Sequence, residues 1–265
     1  MRAMLIDWLQ EVGDEFAMTR ESVHISTRFV DIVLSREECP IERLQLLGAA
    51  SLLLSCKMEE VLCPRVSHFA YATDNGFTPK QIIEMEANIS RILGFHLLPP
   101  TIAFWANYYM AKFDIFAKEN PEGFYCLQTN DSSQPQAPPT YPILFKSDRM
   151  EDYQRFRSLM QVFDLILIDM DHLVYDMRHI VAAGIYIQVG LSLEAFSRSQ
   201  ISMMPDLLTL LVHLEQENSK QDFIHMIHNF IETTFGFEIS VIIPAMKYIS
   251  RFFFMEPQSQ LPIVL

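Results

Sequence analysis

The chain has 265 residues, half of them hydrophobic, with 20 Lys and Arg against 33 Asp and Glu and a formal charge of −13. That length and apolar content exclude disorder over most of the sequence and allow one large domain or two smaller ones. The acidic balance argues against a surface that tracks nucleic-acid phosphates, and Asp164, Asp169 and Asp171 interrupt the most hydrophobic stretch, which argues against a membrane span.

The opening segment, Met1-Arg2-Ala3-Met4-Leu5-Ile6-Asp7-Trp8-Leu9-Gln10-Glu11-Val12, predicts a helix to about Ala17 with two apolar stripes. Leu5, Leu9, Val12 and Phe16 recur at helical spacing and face a core. Met1, Met4 and Trp8 form a second stripe roughly 80° away, at about 100° per residue. One helix rarely needs both, so the second stripe is either covered by other chain or open as a docking groove. Asp7 breaks the apolar segment too early for a signal peptide.

Thr19 is the expected N-cap of a second helix ending near Ser35. A third helix, Ile41 to about Glu60, is apolar or small on almost every side and belongs at the centre of a bundle. Pro64 opens a short fourth helix through Tyr71, and Asp74-Asn75-Gly76 reads as a turn. Thr78-Pro79-Lys80-Gln81 carries an N-cap, a first-turn proline and a capping-box glutamine, so a fifth helix starts there and ends near Gly94.

Pro99-Pro100 marks a boundary, after which Ile102, Trp105 and Tyr109 begin another amphipathic helix. Residues 118–149, rich in Pro with Ser, Asn, Gln and Asp, read as a long inserted loop. Further helices are expected over about 151–174, 177–191, 205–216, 221–235 and 239–254. With no strand alternation, the expected fold is all-α, in two consecutive helical halves of about five helices each. The four cysteines, Cys39, Cys56, Cys63 and Cys126, show no paired spacing, which fits reduced thiols, with Cys56 a small core residue.

The opening string resembles the signature that begins the cyclin box of A, B and E types of cyclin. The likeness continues through Phe29-Val30-Asp31, then Leu44 to Glu60, and Met85-Glu86, covering most of residues 1–97 in order. The segment Phe69-Ala70-Tyr71-Ala72-Thr73-Asp74 looks closer to the E type. The resemblance implies an N-terminal cyclin box at 1–98, a degenerate C-terminal box at 99–256 carrying the inserted loop, and a tail at 257–265. It implies no catalytic residues, no cofactor and no metal. The implied partner is a cyclin-dependent protein kinase in a heterodimer, with no nucleic acid and no membrane, in nucleus and cytoplasm.

Residue by residue, the resemblance implies an ion pair between Arg2 and Asp31 that locks the first helix to the second. It puts Lys57 and Glu86 at a surface that grips the mobile regulatory helix of the kinase, with Leu54, Met58, Phe95 and Leu97 as its apolar centre. Met1, Met4, Trp8, Glu11, Leu44 and Gln45 would line a groove for Arg-x-Leu peptides of substrates or inhibitors. Glu11 would meet the arginine and the apolar residues the leucine. Two departures stand out: Met4 replaces a branched aliphatic, and Ser90 stands where the kinase-facing helix is generally apolar, which should weaken that contact.

Other readings compete. His225 and His228 stand at i, i+3 and are a possible metal pair, but no carboxylate pattern or Glu-flanked His-x-x-x-His accompanies them. The double helical repeat also occurs in general transcription factors, whose basic working surface this acidic chain lacks. A cyclin-fold scaffold or transcription-related adaptor that does not activate a kinase is the remaining alternative.

Overall fold

The computed structural model describes residues 1–120, 150–192 and 221–254, and among them every regular element is helical. The helices are α1 (Arg2–Glu15), α2 (Arg20–Arg36), α3 (Ile41–Glu59), α4 (Val66–Ala72), α5 (Pro79–Ile92), α6 (Ile102–Glu119), α7 (Met150–Ile168), α8 (Met177–Ser192), α9 (Gln221–Phe235) and α10 (Ile239–Ser250). Short 3₁₀ turns follow α7 and α10, at Met170–Val174 and Arg251–Phe254. The expected helix at 205–216, the inserted loop after residue 120, Cys126 and the tail at 257–265 lie outside the described residues.

The described residues fall into two compact units, one holding residues 1–104 and 167–170, the other 105–120, 150–166, 171–192 and 221–254. The division therefore comes inside the first turn of α6, later than the Pro99-Pro100 signal. In the first unit α3 is the central rod. Leu46 through Cys56 are buried without interruption, and α2, α5, α1 and α4 pack around them. The approach of α1 is close: a Cβ added at Gly48 would lie 2.8 Å from Leu5 Cδ1 and 3.4 Å from Leu9 Cδ2. Glycine there lets the two helices meet at the face that carries Leu5, Ile6 and Leu9 into the core.

The ends of these helices follow local chemistry. Thr19 caps α2, its side chain accepting from the Ser22 amide, and Thr78 and Gln81 form the reciprocal capping box at α5. At its other end, α5 stops in a Schellman arrangement: the Gly94 amide donates to the Arg91 carbonyl at 3.0 Å and the Phe95 amide to the Ser90 carbonyl at 2.9 Å. Arg36 of α2 donates to the free carbonyl of Ile92.

The second unit packs α10 and α9 on α8. Its core includes aromatic contacts between α6 and α9, with Tyr109 stacked on Phe235 at 3.7 Å between ring centroids and Phe113 edge-on to Phe230 at 4.9 Å. Two sequence expectations need correction here. The helix expected over 151–174 ends at Ile168, and the one expected over 239–254 ends at Ser250 and tightens into 3₁₀. At the first break the last carbonyls are served by Arg2, described below; the second is the usual tightening of a last turn.

Candidate functional site

The Arg2 side chain of α1 makes four hydrogen bonds. Its Nε donates to Asp31 Oδ1 at 2.6 Å and its Nη2 to Oδ2 at 2.9 Å, a two-pronged pair whose side chains are 8% and 7% exposed. Its third nitrogen, Nη1, donates to the carbonyls of Leu167 at 2.9 Å and Ile168 at 3.2 Å. Arginine is suited to this because its planar fork serves a carboxylate while leaving another donor free. The carbonyls at the end of α7 need partners that α7 cannot supply, and Arg2 supplies them. The apolar run Leu165–Ile168 carries no sign of this termination.

Lys57 and Glu86 are joined as well. The Lys57 ammonium, in the last turn of α3, donates to both oxygens of Glu86 on α5, at 2.6 and 2.8 Å. Lys57 is 48% exposed and Glu86 13%, so the pair stands at the surface with its acid half sheltered. A cation is favoured at that end of α3 by the helix dipole. Met58 next to it is 41% exposed and Phe95 is 71% exposed, with Leu97 partly covered.

Leu54 departs from its expected place. It is only 5% exposed and belongs to the core of the first unit, because α3 is enclosed on all sides from Leu46 to Cys56. Ser90 departs too: it is buried at 8% exposed, and its hydroxyl donates back to the Glu86 carbonyl at 3.0 Å. It therefore faces inward and is not a gap in an outer surface.

The sequence reading passed over Val61 and Leu62, which are 98% and 87% exposed just after Lys57 and Met58. They lie between the end of α3 and Pro64, where periodicity gives no signal. Their connection is held by Glu60, whose Oε1 accepts from the Thr19 amide at 2.6 Å, the Thr19 hydroxyl at 2.8 Å and the Ser22 hydroxyl at 2.6 Å. A carboxylate at the start of α2 meets its unpaired amides and the positive end of its dipole.

Phe95 owes its exposure to its backbone. Gly94 and Phe95 have φ of +60° and +59°, consecutive left-handed residues at the end of α5. Glycine takes that conformation freely, whereas for an L side chain it costs about 1–2 kcal/mol. The double reversal turns the Phe95 ring away from the core.

On α1 the two stripes separate as their spacing requires. Leu5, Leu9 and Val12 are buried, Phe16 is partly covered against Phe69 at 5.5 Å, and Ile6 joins the core. Met1 and Met4 are 64% and 67% exposed, Trp8 is half-buried and Glu11 is exposed. On α3, one turn before the Gly48 contact, Leu44 is half-buried and Gln45 exposed.

A second polar group ties α2 to α6. The Thr101 hydroxyl donates to Glu21 Oε1 at 2.6 Å and accepts from the Phe104 amide at 2.9 Å, capping α6. The His24 ring nitrogen Nδ1 accepts from the Ala103 amide at 3.3 Å. Burial pushes the Glu21 carboxyl above its ordinary pKa, with Glu59 adding to the rise while Thr101 and His24 oppose it.

Among the described residues no cluster of His, Cys, Asp and Glu has the makings of a metal site, and no helix is long and apolar enough to cross a membrane. His225 is exposed on α9 and His228 half-buried.

Residues 1–98 match the family described as "Cyclin, N-terminal domain". Over 109 residues the chain is 40% identical to cyclin-A2 of Xenopus laevis, which is 41% of this chain and 26% of that protein. Against human cyclin-A2 the figures are 41% identity over 102 residues, 38% of this chain and 24% of that protein. Cyclin-A1-2 of Oryza sativa subsp. japonica is 41% identical over 101 residues, 38% and 21% of the two chains. The chain therefore spans about a quarter of the length of these relatives. They are A-type by name, so the E-type hint at Phe69–Asp74 gains nothing from them.

The X-ray structure of a viral cyclin from herpesvirus saimiri matches with a TM-score of 0.52 and 17% identity, covering 86% of this chain and 85% of that one. The likeness is of fold alone, and its span runs well beyond residue 98. Residues 1–98 are thus similar to the cyclin N-terminal domain, and beyond them the likeness is one of fold.

Proposed function

We propose that the chain is a regulatory subunit that binds and activates a cyclin-dependent serine/threonine kinase. The observation that carries this reading is the Lys57–Glu86 pair at the exposed end of α3, followed in sequence by the exposed Met58, Val61 and Leu62, with an exposed Phe95 and a half-buried Leu97 beyond the end of α5. An apolar surface with a charge pair to fix register is the chemistry that grips an amphipathic helix of a partner. The Lys57 ammonium has three donors and can turn one toward a partner's backbone carbonyl while keeping Glu86.

The subunit does no chemistry of its own. A kinase requires its mobile helix and activation loop in the active arrangement before ATP is productively held. A partner that binds this arrangement better than the inactive one shifts the population by its differential affinity. The open face of α1, with Met1, Met4, Trp8 and Glu11 beside Leu44 and Gln45, then serves to recruit Arg-x-Leu peptides. The leucine enters among the apolar side chains and the arginine meets Glu11. The second half acts as a degenerate cyclin box, and the heterodimer works in nucleus and cytoplasm.

The test is phosphorylation of a histone substrate by a purified cyclin-dependent kinase with the full chain or its Lys57→Ala/Glu86→Ala variant. Stimulation by the parent and its loss in the variant supports the reading. Absence of binding and stimulation across several such kinases would leave a cyclin-fold adaptor instead.

A further inference from the structure

Thr78-Pro79 is the only place in the chain where proline follows a serine or threonine. Every residue from Asp74 to Gln81 except Phe77 is exposed, so Thr78 stands on an open corner between α4 and α5. Asp74 and Asn75, left-handed at φ of +53° and +56°, turn the chain there, and Thr78 itself is extended, with φ −76° and ψ 154°.

The Thr78 hydroxyl is lightly held. It donates to Gln81 Oε1 at 2.9 Å and accepts from the Gln81 amide at 3.3 Å, both at the surface. An exposed hydrogen bond of this kind exchanges for one to water or a partner at small net cost. Pro79 has no N–H to offer. A kinase cleft with no acceptor opposite the residue after the target hydroxyl loses nothing to proline there, whereas any other residue leaves a desolvated amide unpaired.

We propose that Thr78 of the folded chain is a phosphorylation site for a proline-directed serine/threonine kinase, and that the phosphate strengthens the start of α5. Neither clause depends on the kinase-activation reading.

In the transfer, the Thr78 oxygen attacks the γ-phosphorus of ATP, the bond from that phosphorus to the bridging oxygen breaks, and ADP leaves. The hydroxyl proton passes to the catalytic carboxylate of the modifying kinase. Only the first turn of α5 has to loosen for this, and helix ends open at low cost. Ile82, fully buried, keeps the rest of α5 in place.

The product suits its surroundings. A phosphate at Thr78 carries a charge of about −1.5 to −2 and sits where a neutral hydroxyl now caps α5. Its oxygens accept from the first-turn amides at the positive end of the helix dipole. Lys80, two residues on and 85% exposed, is only loosely paired with Glu84 at 3.8 Å and is free to turn to the phosphate. The new charge therefore reinforces an existing cap and asks for no change in the core.

The test incubates the folded full chain with ATP and a purified proline-directed kinase, such as an activated mitogen-activated protein kinase, and maps the phosphate by mass spectrometry. The expected product carries one phosphate on Thr78. It is retained in Thr78→Ser and lost in Thr78→Val and in Pro79→Ala, which keeps both the hydroxyl and the cap. A synthetic peptide of residues 72–86 reports the sequence without the fold. Modification of the peptide but not of the folded chain overturns the site, as does failure of both or a preference for another residue. Modification that persists in Pro79→Ala overturns its proline direction. In a second arm, melting temperatures of the phosphorylated and untreated chain are compared. A rise of about 1–4 °C that shrinks in high salt and in Lys80→Ala is expected. An unchanged or lower melting temperature overturns the strengthening of α5, and the site is then judged on the first arm.

Discussion

Lys57 and Glu86 hold each other in the free chain, with the ammonium on both carboxylate oxygens at 2.6 and 2.8 Å. A partner therefore meets a preset pair and spends little on ordering it. An exposed pair of this kind contributes about 0–1 kcal/mol to stability. The Lys57→Ala/Glu86→Ala variant should therefore lower the melting temperature by no more than about 2–4 °C. Kinase stimulation should drop by more than tenfold in the same protein, as expected when hot-spot groups are truncated. Calorimetry and the histone assay on one preparation separate the two effects. A large thermal loss would make the pair structural.

Arg2 gives the opposite expectation. Its guanidinium holds the buried Asp31 carboxylate and the Leu167 and Ile168 carbonyls. Arg2→Met strands a charge and two acceptors at once, and loss of one member of a buried pair costs about 3–5 kcal/mol. Arg2→Lys restores the charge but cannot serve Asp31 with two parallel bonds, so it should recover only part. Denaturant unfolding of the two variants checks the order parent, lysine, methionine. Equal midpoints for parent and Arg2→Met would remove Arg2 from any structural role.

Glu21 supplies a pH dependence of definite sign. Its folded pKa lies above the ordinary 4.5, so the folded chain holds the proton more tightly than the unfolded chain does. The contribution to stability is complete below about 4.5 and is lost as pH rises through the raised folded value. Glu21→Gln keeps an acceptor for Thr101 without the charge. Stability of the variant relative to the parent should rise across that window and then level off. Melting temperatures of both proteins at closely spaced pH values test this; parallel curves would show that Glu21 is not the titrating group.

How much of this was legible beforehand depended on where each signal resides. The caps at Thr19 and Thr78, the central α3 and the two stripes of α1 are local matters of spacing and side-chain type, and they read directly. The end of α7 did not, because the side chain that serves its last carbonyls is Arg2, far away in sequence. Leu54 looked like an outer residue only through resemblance; the burial of α3 on all sides is a property of the bundle. Val61 and Leu62 were missed because apolar residues in a connection obey no period.

Trp8 tests the groove. It is half-buried beside exposed Met1 and Met4, so truncation removes contact area for a ligand along with some internal packing. Trp8→Ala should weaken binding of an Arg-x-Leu peptide by about tenfold or more while the basal, peptide-independent kinase stimulation stays close to that of the parent. Glu11→Gln should weaken the same peptide without moving the melting temperature, since Glu11 is exposed. Fluorescence titration with a labelled peptide reads both. Unchanged affinity in both variants would assign the face of α1 to some other use.

Phe95 offers the sharpest division between folding and function. Its left-handed backbone costs about 1–2 kcal/mol, yet its ring, 71% exposed, recovers little of this by packing in the free chain. Strained residues cluster at binding and switch sites, which is in keeping with the kinase contact proposed for Phe95. Asparagine tolerates the same backbone better and offers no ring. Phe95→Asn should therefore leave the melting temperature unchanged or raise it by up to about 4 °C, while kinase affinity falls by about tenfold or more. The two readouts must move in different directions. Lower stability with unchanged affinity would mean that the ring serves the end of α5 and not a partner.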